Sequence, residues 1–435
     1  MLDHDSFLAA IWKAPEENLP RLIYADYLDE RNDPLGQFIR IQCALEDCTI
    51  SSSRRWELRQ FEAEYLSRYG TIWAKPLEGL VTGYAFRRGF IEMVRMEART
   101  FLARAPLLFQ LAPVRHIQFL DLGSSAEKVF HSSWLHQLST LTIYAQHGGA
   151  QLGNLLENIS LPRLTTFNLG RNSLGSLGLR YLMRSEGFPA LETLYLHENE
   201  ISDSGTELIT RSKYFPKLKR LHLEQNDLTS RTLAYLALAQ KENPIQEIYL
   251  ARNQLHASPK GQSNLLLPEL CFNKLHLKEN QLSAESLNEL IQPGHPGHIR
   301  YLSLSHNRLR YEAIEQLLSC LFINSLEVLD LEENWLNDEA VRLIAQSDKL
   351  KYLTWLNLDQ NPIHEGAVLS LLENNTLTAL KWLKIPKLGI DPYLRQELSK
   401  KYTLIDTDQP NSFPRRIEPH LPEGIEENWD LPSRW

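Results

Sequence analysis

Four cysteines in 435 residues exclude both a disulfide framework and a zinc module: Cys43 and Cys48 stand five apart, and Cys271 and Cys320 stand alone. Long apolar runs are missing too, since no stretch approaches the ~18 residues that a membrane helix needs. The opening segment, MLDHDSFLAAIWKAP, has neither the basic start nor the sustained apolar run of a secretory leader. A reducing cytoplasm away from the membrane is therefore the expected setting, with export by a route lacking a cleaved leader as the alternative. Positive charge is in short supply. A net charge of −8 argues against nucleic acid as a partner, because phosphate must be met by Lys and Arg. The pairs Arg54-Arg55 and Arg87-Arg88 read as solvated faces. No Gly-rich phosphate loop occurs, and no nucleophile is placed beside a base. Asp26, Asp29 and Glu30 share one helix, but acid–base chemistry would need a cleft that perturbs them, so they too read as a solvated face. Neither catalysis nor a cofactor is expected.

What is present is a repeat. Asn172, Asn199, Asn226, Asn253, Asn280, Asn307, Asn334 and Asn361 follow one another at 27-residue steps. Each closes a phrase with apolar residues eight, five and three positions earlier, as in LETLYLHEN ending at Asn199 and LTWLNLDQN ending at Asn361. Leu194 and Leu196 are two apart, so on a strand they face one way while Thr193, Tyr195 and His197 face the other. The Asn side chain both donates and accepts, so it can serve backbone groups where the chain leaves the strand. The eight asparagines are therefore expected to form a structural ladder. Apolar residues then recur near positions two, seven and ten after the Asn, as in Leu282, Leu287 and Leu290, which is one face of a helix. Strands stack at ~4.8 Å and helices at ~8–10 Å, so the array must curve.

This spacing resembles the leucine-rich-repeat signature, and the long helix-bearing form resembles its ribonuclease-inhibitor-like branch. The resemblance implies an α/β solenoid: a leucine-rich-repeat horseshoe with a parallel concave sheet and convex helices, preceded by a small all-α domain. About eleven repeats are expected over residues 113–406. Leu388 replaces the last Asn, while Gln146 and Leu122 mark degenerate repeats at the start. After Asn253, Pro259 and Gly261 interrupt the helix, and Lys260 and Ser263 stand where core residues belong.

Residues 1–70 obey other rules and read as short helices over 6–14, 20–31, 34–46 and 52–69. Asn32 suits a left-handed helix stop, and Asp33-Pro34 supplies an N-cap followed by proline. The segment FLAAIWKAPEENLPRLIYADYLDERNDPLGQFIRIQCAL, with its PRLIYADYLDER core and FIRIQCAL helix, closely resembles the repeat-companion domain of planctomycetes and some other bacteria. FRRGF, residues 86–90, is similar to the join between that domain and its repeats. Tyr27 and Asn32 depart from the usual Trp and Gly. The resemblance carries no catalytic residue. Residues 71–112 are expected to be a linker and cap with a strand near 90–96. The tail, 407–435, is Pro-rich and carries Trp429 and Trp435.

The binding face is expected on the outward strand positions. The central column contains Tyr195, His222, Tyr249, His276 and Asp330. Two positions earlier come Arg220, Glu247, Lys274, Tyr301, Trp355 and Trp382, and two later His197, Glu224, Lys278, Glu332 and Asp359. Tyr, Trp and Arg are the types that dominate protein-binding hot spots. A monomer that binds a protein partner on the concave face is the expectation. The alternatives are an effector acting on a host or rival protein through that face, or an enzyme-activating protein. The two Trp residues beside Asp330, Glu332, Glu333 and Asp359 would suit a basic partner. His197 and His222 near Glu198 and Glu224 could be imagined to hold a metal, but read better as ordinary polar sheet residues.

Overall fold

The computed structural model describes residues 4–47, 49–144, 148–239, 245–256, 270–291, 297–373, 375–387 and 389–405. Gln146, Leu388, the irregular segment with Pro259, Lys260, Gly261 and Ser263, and the tail from Thr407 lie outside them. The chain divides near residue 145 into two compact units.

The first unit opens with four helices: α1 (His4–Lys13), α2 (Leu19–Asp29), α3 (Pro34–Leu45) and α4 (Ser52–Ala74). Asn32 takes a φ of 55°, and the Asp33 carboxylate caps α3 by accepting from the Leu35 N–H at 2.9 Å, with Pro34 in the first turn. Ile11, Tyr24, Ala25, Leu28 and Ile39 form the core of this helical region together with Phe90. Then come β1 (Gly83–Arg87), β2 (Phe90–Met96), α5 (Ala98–Leu111), β3 (His116–Phe119) and β4 (Thr140–Ile143). β1 pairs antiparallel with β2, and β2, β3 and β4 run parallel. The segment expected to be a linker with one strand thus contains a hairpin and a 14-residue helix. GYAFR gave no alternation from which β1 could be read.

The hairpin turn is where the first unit is locked together. Gly89 has a φ of 87°, and a Cβ there would stand 2.1 Å from Ile39 Cγ1, so only glycine lets the turn approach α3. Gln42 on α3 accepts from the Gly89 N–H at 2.7 Å. Arg88, expected in a solvated pair, is only 3 % exposed. Its guanidinium and that of buried Arg21 both bind the buried carboxylate of Glu92. Arg88 Nη1 also donates to the carbonyl of Glu16 and Arg21 Nη2 to that of Pro15. Burying one charge requires partners on every side, which explains why PRL on α2 and FRRGFIE on the hairpin are both charged.

In the second unit one rung is repeated. The strands β5 (Thr166–Asn168), β6 (Thr193–Tyr195), β7 (Arg220–His222), β8 (Glu247–Tyr249), β9 (Leu270–His276), β10 (Gly297–Ser303), β11 (Val328–Asp330), β12 (Trp355–Asn357), β13 (Trp382–Lys384) and β14 (Thr403–Leu404) lie in chain order. All pair parallel, with Phe167, Leu194, Leu221, Ile248, Leu275, Leu302, Leu329, Leu356 and Leu383 in register and fully buried or nearly so. Helices follow the strands, for example 203–211, 310–319 and 338–346. They turn Ile209, Ile314, Leu317, Val341 and Ile344 into the core. This is an α/β solenoid. Among the described residues, no helix is long and apolar enough to cross a membrane.

Each rung turns at its Asn. The residue before it, from Arg171 through Gln360, adopts a φ between 51° and 62°. A left-handed non-glycine residue costs about 1–2 kcal/mol, and the Asn side chain offsets it. Asn226 is typical. Its amide donates to the carbonyls of Leu223 at 3.0 Å on its own rung and Leu196 at 3.0 Å on the previous one, while its oxygen accepts from the N–H groups of Asn199 and Ile201, both at 3.0 Å.

Candidate functional site

Because Leu194 and Leu196 enter the core, the intervening positions of each strand form the opposite face of the sheet. The registers bring Asn168, Tyr195, His222, Tyr249, His276, Ser303, Asp330, Asn357 and Lys384 into one column. Parallel strands repeat every ~4.8 Å, a little more than the separation of two stacked rings. The aromatic members of the column therefore lie flat against one another. Ring centroids are 4.0 Å apart for Tyr195–His222, 4.0 Å for His222–Tyr249 and 4.2 Å for Tyr249–His276, all within 23° of parallel. Tyr301 leans in from the neighbouring column and stacks on His276 at 4.5 Å.

Stacking changes what this face presents. Read from sequence, these residues stand out into solvent, but Tyr195, His222, Tyr301 and Trp355 are each no more than 6 % exposed. Glu247, Lys274 and Asp330 are buried as well. His197, Arg220, Tyr249, His276 and Trp382 are half-buried. The rings cover each other's faces, so what remains toward solvent is a row of edges. A partner would meet ring edges and the polar groups beside them.

Those polar groups are held in place. The Tyr249 hydroxyl donates to Glu247 at 3.2 Å, and Lys274 lies 3.6 Å from the same carboxylate. His222 Nδ1 is 3.0 Å from Glu224. Arg220 Nε donates to Thr193 at 2.8 Å. Burial, with Lys274 and His222 nearby, pushes the His276 imidazole down to about 3. It is therefore neutral at physiological pH.

The second patch is not an open acidic surface. Trp355 lies in register with Trp382 and is itself buried. Lys384 approaches Asp359 at 3.2 Å and Glu332 at 3.6 Å, and Asn357 donates to both Asp330 and Glu332 at 2.9 Å. Glu333 is paired with His306 at 2.7 Å. Burial pushes the Asp330 carboxyl up, against the bonds it accepts from the Glu332 N–H and Ser303. An internal cation already occupies the place that a basic partner was expected to take.

Chemistry that residue types suggest is not assembled. His276, Ser303 and Asp330 stand on adjacent rungs, but Ser303 donates to Asp330 at 3.0 Å and His276 is clamped between two tyrosine rings. A hydrolytic triad would need the imidazole between the hydroxyl and the carboxylate. Among the described residues, no group of three or more His, Cys, Asp and Glu could hold a metal ion. Asp26 and Asp29, read as a solvated face, are both bound by Arg40 of α3. Cys43 is buried, and its thiol is pushed up to about 11 by burial. In the first unit, a cleft of about 730 Å³ between the end of α4 and β1 is lined mainly by Ile72, Ala74, Leu77, Val81 and Tyr84. It brings no titratable cluster together.

One feature of the face escaped sequence reading. In the column with His197 and Glu224, the small residues Ala251 and Ser305 stand between Glu224, Lys278 and Glu332, while Asp359 directly follows Glu332. Only the register shows them as gaps.

The model of one family, described as Leucine Rich repeat, matches residues 323–345, which hold β11, Asn334 and most of the following helix. No curated protein matches the chain. Among solved structures, the complex of TLR13 with ssRNA13 is similar at 18% identity over 63% of this chain, with a TM-score of 0.39. The present chain spans 40% of the length of that one. A chain of the complex of Rad7 and Elc1 in yeast is similar at 14% identity, over 82% of this chain and 98% of the other, with a TM-score of 0.29.

Proposed function

We propose that this chain is a non-enzymatic scaffold that binds a partner protein on the free face of its repeat sheet. The observation that carries the reading is the five-ring stack from Tyr195 to Tyr301. Rings fixed on a rigid sheet have little rotamer freedom left to lose, so contact with them is not offset by ordering, and aromatic anchors of this kind dominate protein interfaces. The rows beside the stack supply Arg220, Glu247 and Lys274 for orientation.

In this reading the helical region of the first unit is a bacterial repeat-companion module and the repeats are of the ribonuclease-inhibitor-like kind. The protein works as a cytoplasmic monomer without a cofactor. The net charge of −8 supports a protein over a nucleic acid as the partner. An effector acting on another organism's protein would use the same face.

The test is capture from lysate of the source organism, comparing wild type with a Tyr249→Ala, His222→Ala double variant. Cooperative unfolding of both proteins establishes that folded states are compared. Loss of one specific captured protein in the variant is the expected result, and identical capture by both would overturn the assignment of this face.

A further inference from the structure

On the turn side of the array, two neighbouring rungs depart from the pattern of the others. In several rungs the residue after the ladder Asn is left-handed, and Ser173, Glu200 and Gln281 serve there with φ between 49° and 58°. At the same place Trp335 has a φ of 60°, and it is 49% exposed. A bulky side chain at positive φ is a steric outlier. Two positions further on, three rungs turn left-handed again, each with its N–H on the carbonyl of the next Asn. Gly149 bonds Asn172 at 3.0 Å, Gly175 bonds Asn199 at 2.9 Å, and Arg310 bonds Asn334 at 3.1 Å. Glycine suits this conformation, yet the third rung has an arginine at a φ of 56°. Arg310 also opens the helix 310–319, at the end where the helix dipole disfavours a cation. Folding alone would select other residues at both places.

The two side chains meet. The Arg310 guanidinium lies over the Trp335 ring, 5.1 Å from its centroid. Arg308, one residue past Asn307 and so the lateral neighbour of Trp335, is exposed. Other arginines of the array are engaged by carboxylates: Arg171 by Glu198 at 2.8 Å, Arg252 by Glu279 at 2.9 Å and Arg300 by Glu327 at 2.6 Å. Among the described residues, Arg308 and Arg310 have no such partner. Two uncompensated cations thus stand beside an open indole.

We propose that this edge binds an acidic segment of a partner protein, with carboxylates on Arg308 and Arg310 and an adjoining apolar side chain on Trp335. The guanidinium presents a fork of donors that fits a carboxylate, and Trp and Arg are the types that dominate hot spots. Nucleic acid fits less well, because two arginines on a chain of net charge −8 offer little to a run of phosphates. The site lies on the turn side, apart from the ring stack, and does not depend on the sheet being a binding face.

The experiment titrates the full chain into fluorescein-labelled peptides at low salt and reads anisotropy. Glu-Glu-Leu-Glu-Glu is compared with Gln-Gln-Leu-Gln-Gln and with Glu-Glu-Ala-Glu-Glu, all in the same Gly/Ser flanks. The first is expected to bind about tenfold more tightly than either of the others, the scale of a few exposed ion pairs joined to one apolar contact. Arg308→Gln, Arg310→Gly and Trp335→Gln each install a residue type that an equivalent rung already carries, at Gln281 or Gly175. Each should weaken the first peptide about fivefold or more. All three should melt within error of wild type, and Arg310→Gly at or above it, because a left-handed arginine is relieved. No binding by wild type, equal binding of the acidic and neutral peptides, or unchanged binding in any one of the variants would overturn the proposal. So would a midpoint several degrees lower in Arg310→Gly, since the Arg–Trp pair would then be structural. Displacement of the peptide by an equal concentration of oligo(dT) of the same charge would assign the site to polyanions in general and overturn it as well.

Discussion

The side-chain oxygen of Asn253 accepts from the backbone N–H of Asn226, 27 residues earlier, at 3.0 Å, and its amide reaches the carbonyl of Leu223 at 2.9 Å. The amide also donates to the Leu250 carbonyl of its own rung at 3.0 Å, so one side chain closes its own turn and ties it to the previous rung. The bonds between rungs recur at Asn199, Asn226 and Asn280, which makes the turn side of the array a continuous hydrogen-bonded strip.

Asn226→Ala is therefore expected to destabilise the protein well beyond the loss of one polar contact. It strands the N–H groups of Asn199 and Ile201 in a buried turn. It also removes the amide that supports left-handed Gln225, whose φ is 51°. Each stranded group costs about 1–3 kcal/mol, so the expected loss is at least about 2 kcal/mol. Urea unfolding measures it, and a midpoint within error of wild type would show that the asparagines do not carry the turns.

The ring stack predicts a contrast between two substitutions at one position. Tyr249→Phe keeps both stacking contacts and removes only the hydroxyl that donates to Glu247. Tyr249→Ala removes the ring from between His222 and His276, and each aromatic pair is worth about 0.5–1.5 kcal/mol beyond its area. The Phe variant should melt close to wild type and the Ala variant several degrees lower. Near-ultraviolet circular dichroism should change mainly in the Ala variant. Equal melting of the two would mean that the rings are neighbours without being coupled.

These cases show what the sequence could carry. The rungs were legible because a solenoid writes the same solution every 27 residues, so Leu194, Asn199 and Ile209 announce their places by repetition. Burial of Tyr195, His222 and Trp355 was not legible. It depends on the side chain one rung away, and a pattern within a single strand says only which face a residue is on. The charge gaps at Ala251 and Ser305 were hidden for the same reason, since a small residue has meaning only between its lateral neighbours. In the first unit, Asn32, Asp33 and Pro34 declared a helix boundary by local chemistry. Arg88 did not declare its burial, because its partners Arg21 and Glu92 come from separate elements.

That triad yields a further test. Glu92 is buried between two buried guanidinium groups. Glu92→Leu would leave Arg21 and Arg88 without their shared counter-charge, and breaking a buried pair in this way costs about 3–5 kcal/mol. Glu92→Gln keeps an acceptor oxygen and should cost less. The Leu variant is expected to lose the attachment of the hairpin to α2, seen as faster hydrogen exchange across 83–96 with the repeats of the second unit unaffected. Uniform exchange across the chain in the variant would mean that the network is not local to this join.

His116 gives stability a defined response to acid. It is 5 % exposed on β3, with Nε2 at 2.9 Å from the Thr142 hydroxyl, and burial pushes its imidazole down to about 3. In the unfolded chain a histidine takes up its proton near 6.5. Between those two values the unfolded state binds the proton and the folded state does not. Stability therefore falls as pH drops below about 6.5 and goes on falling toward 3. From pH 7 to pH 5 the loss from this one residue is about 2 kcal/mol. His116→Gln can still hydrogen-bond Thr142 and has nothing to titrate, so its unfolding free energy should decline less over that interval. Urea titrations of both proteins at the two pH values decide the matter, and parallel declines would show that His116 is protonated in the folded state.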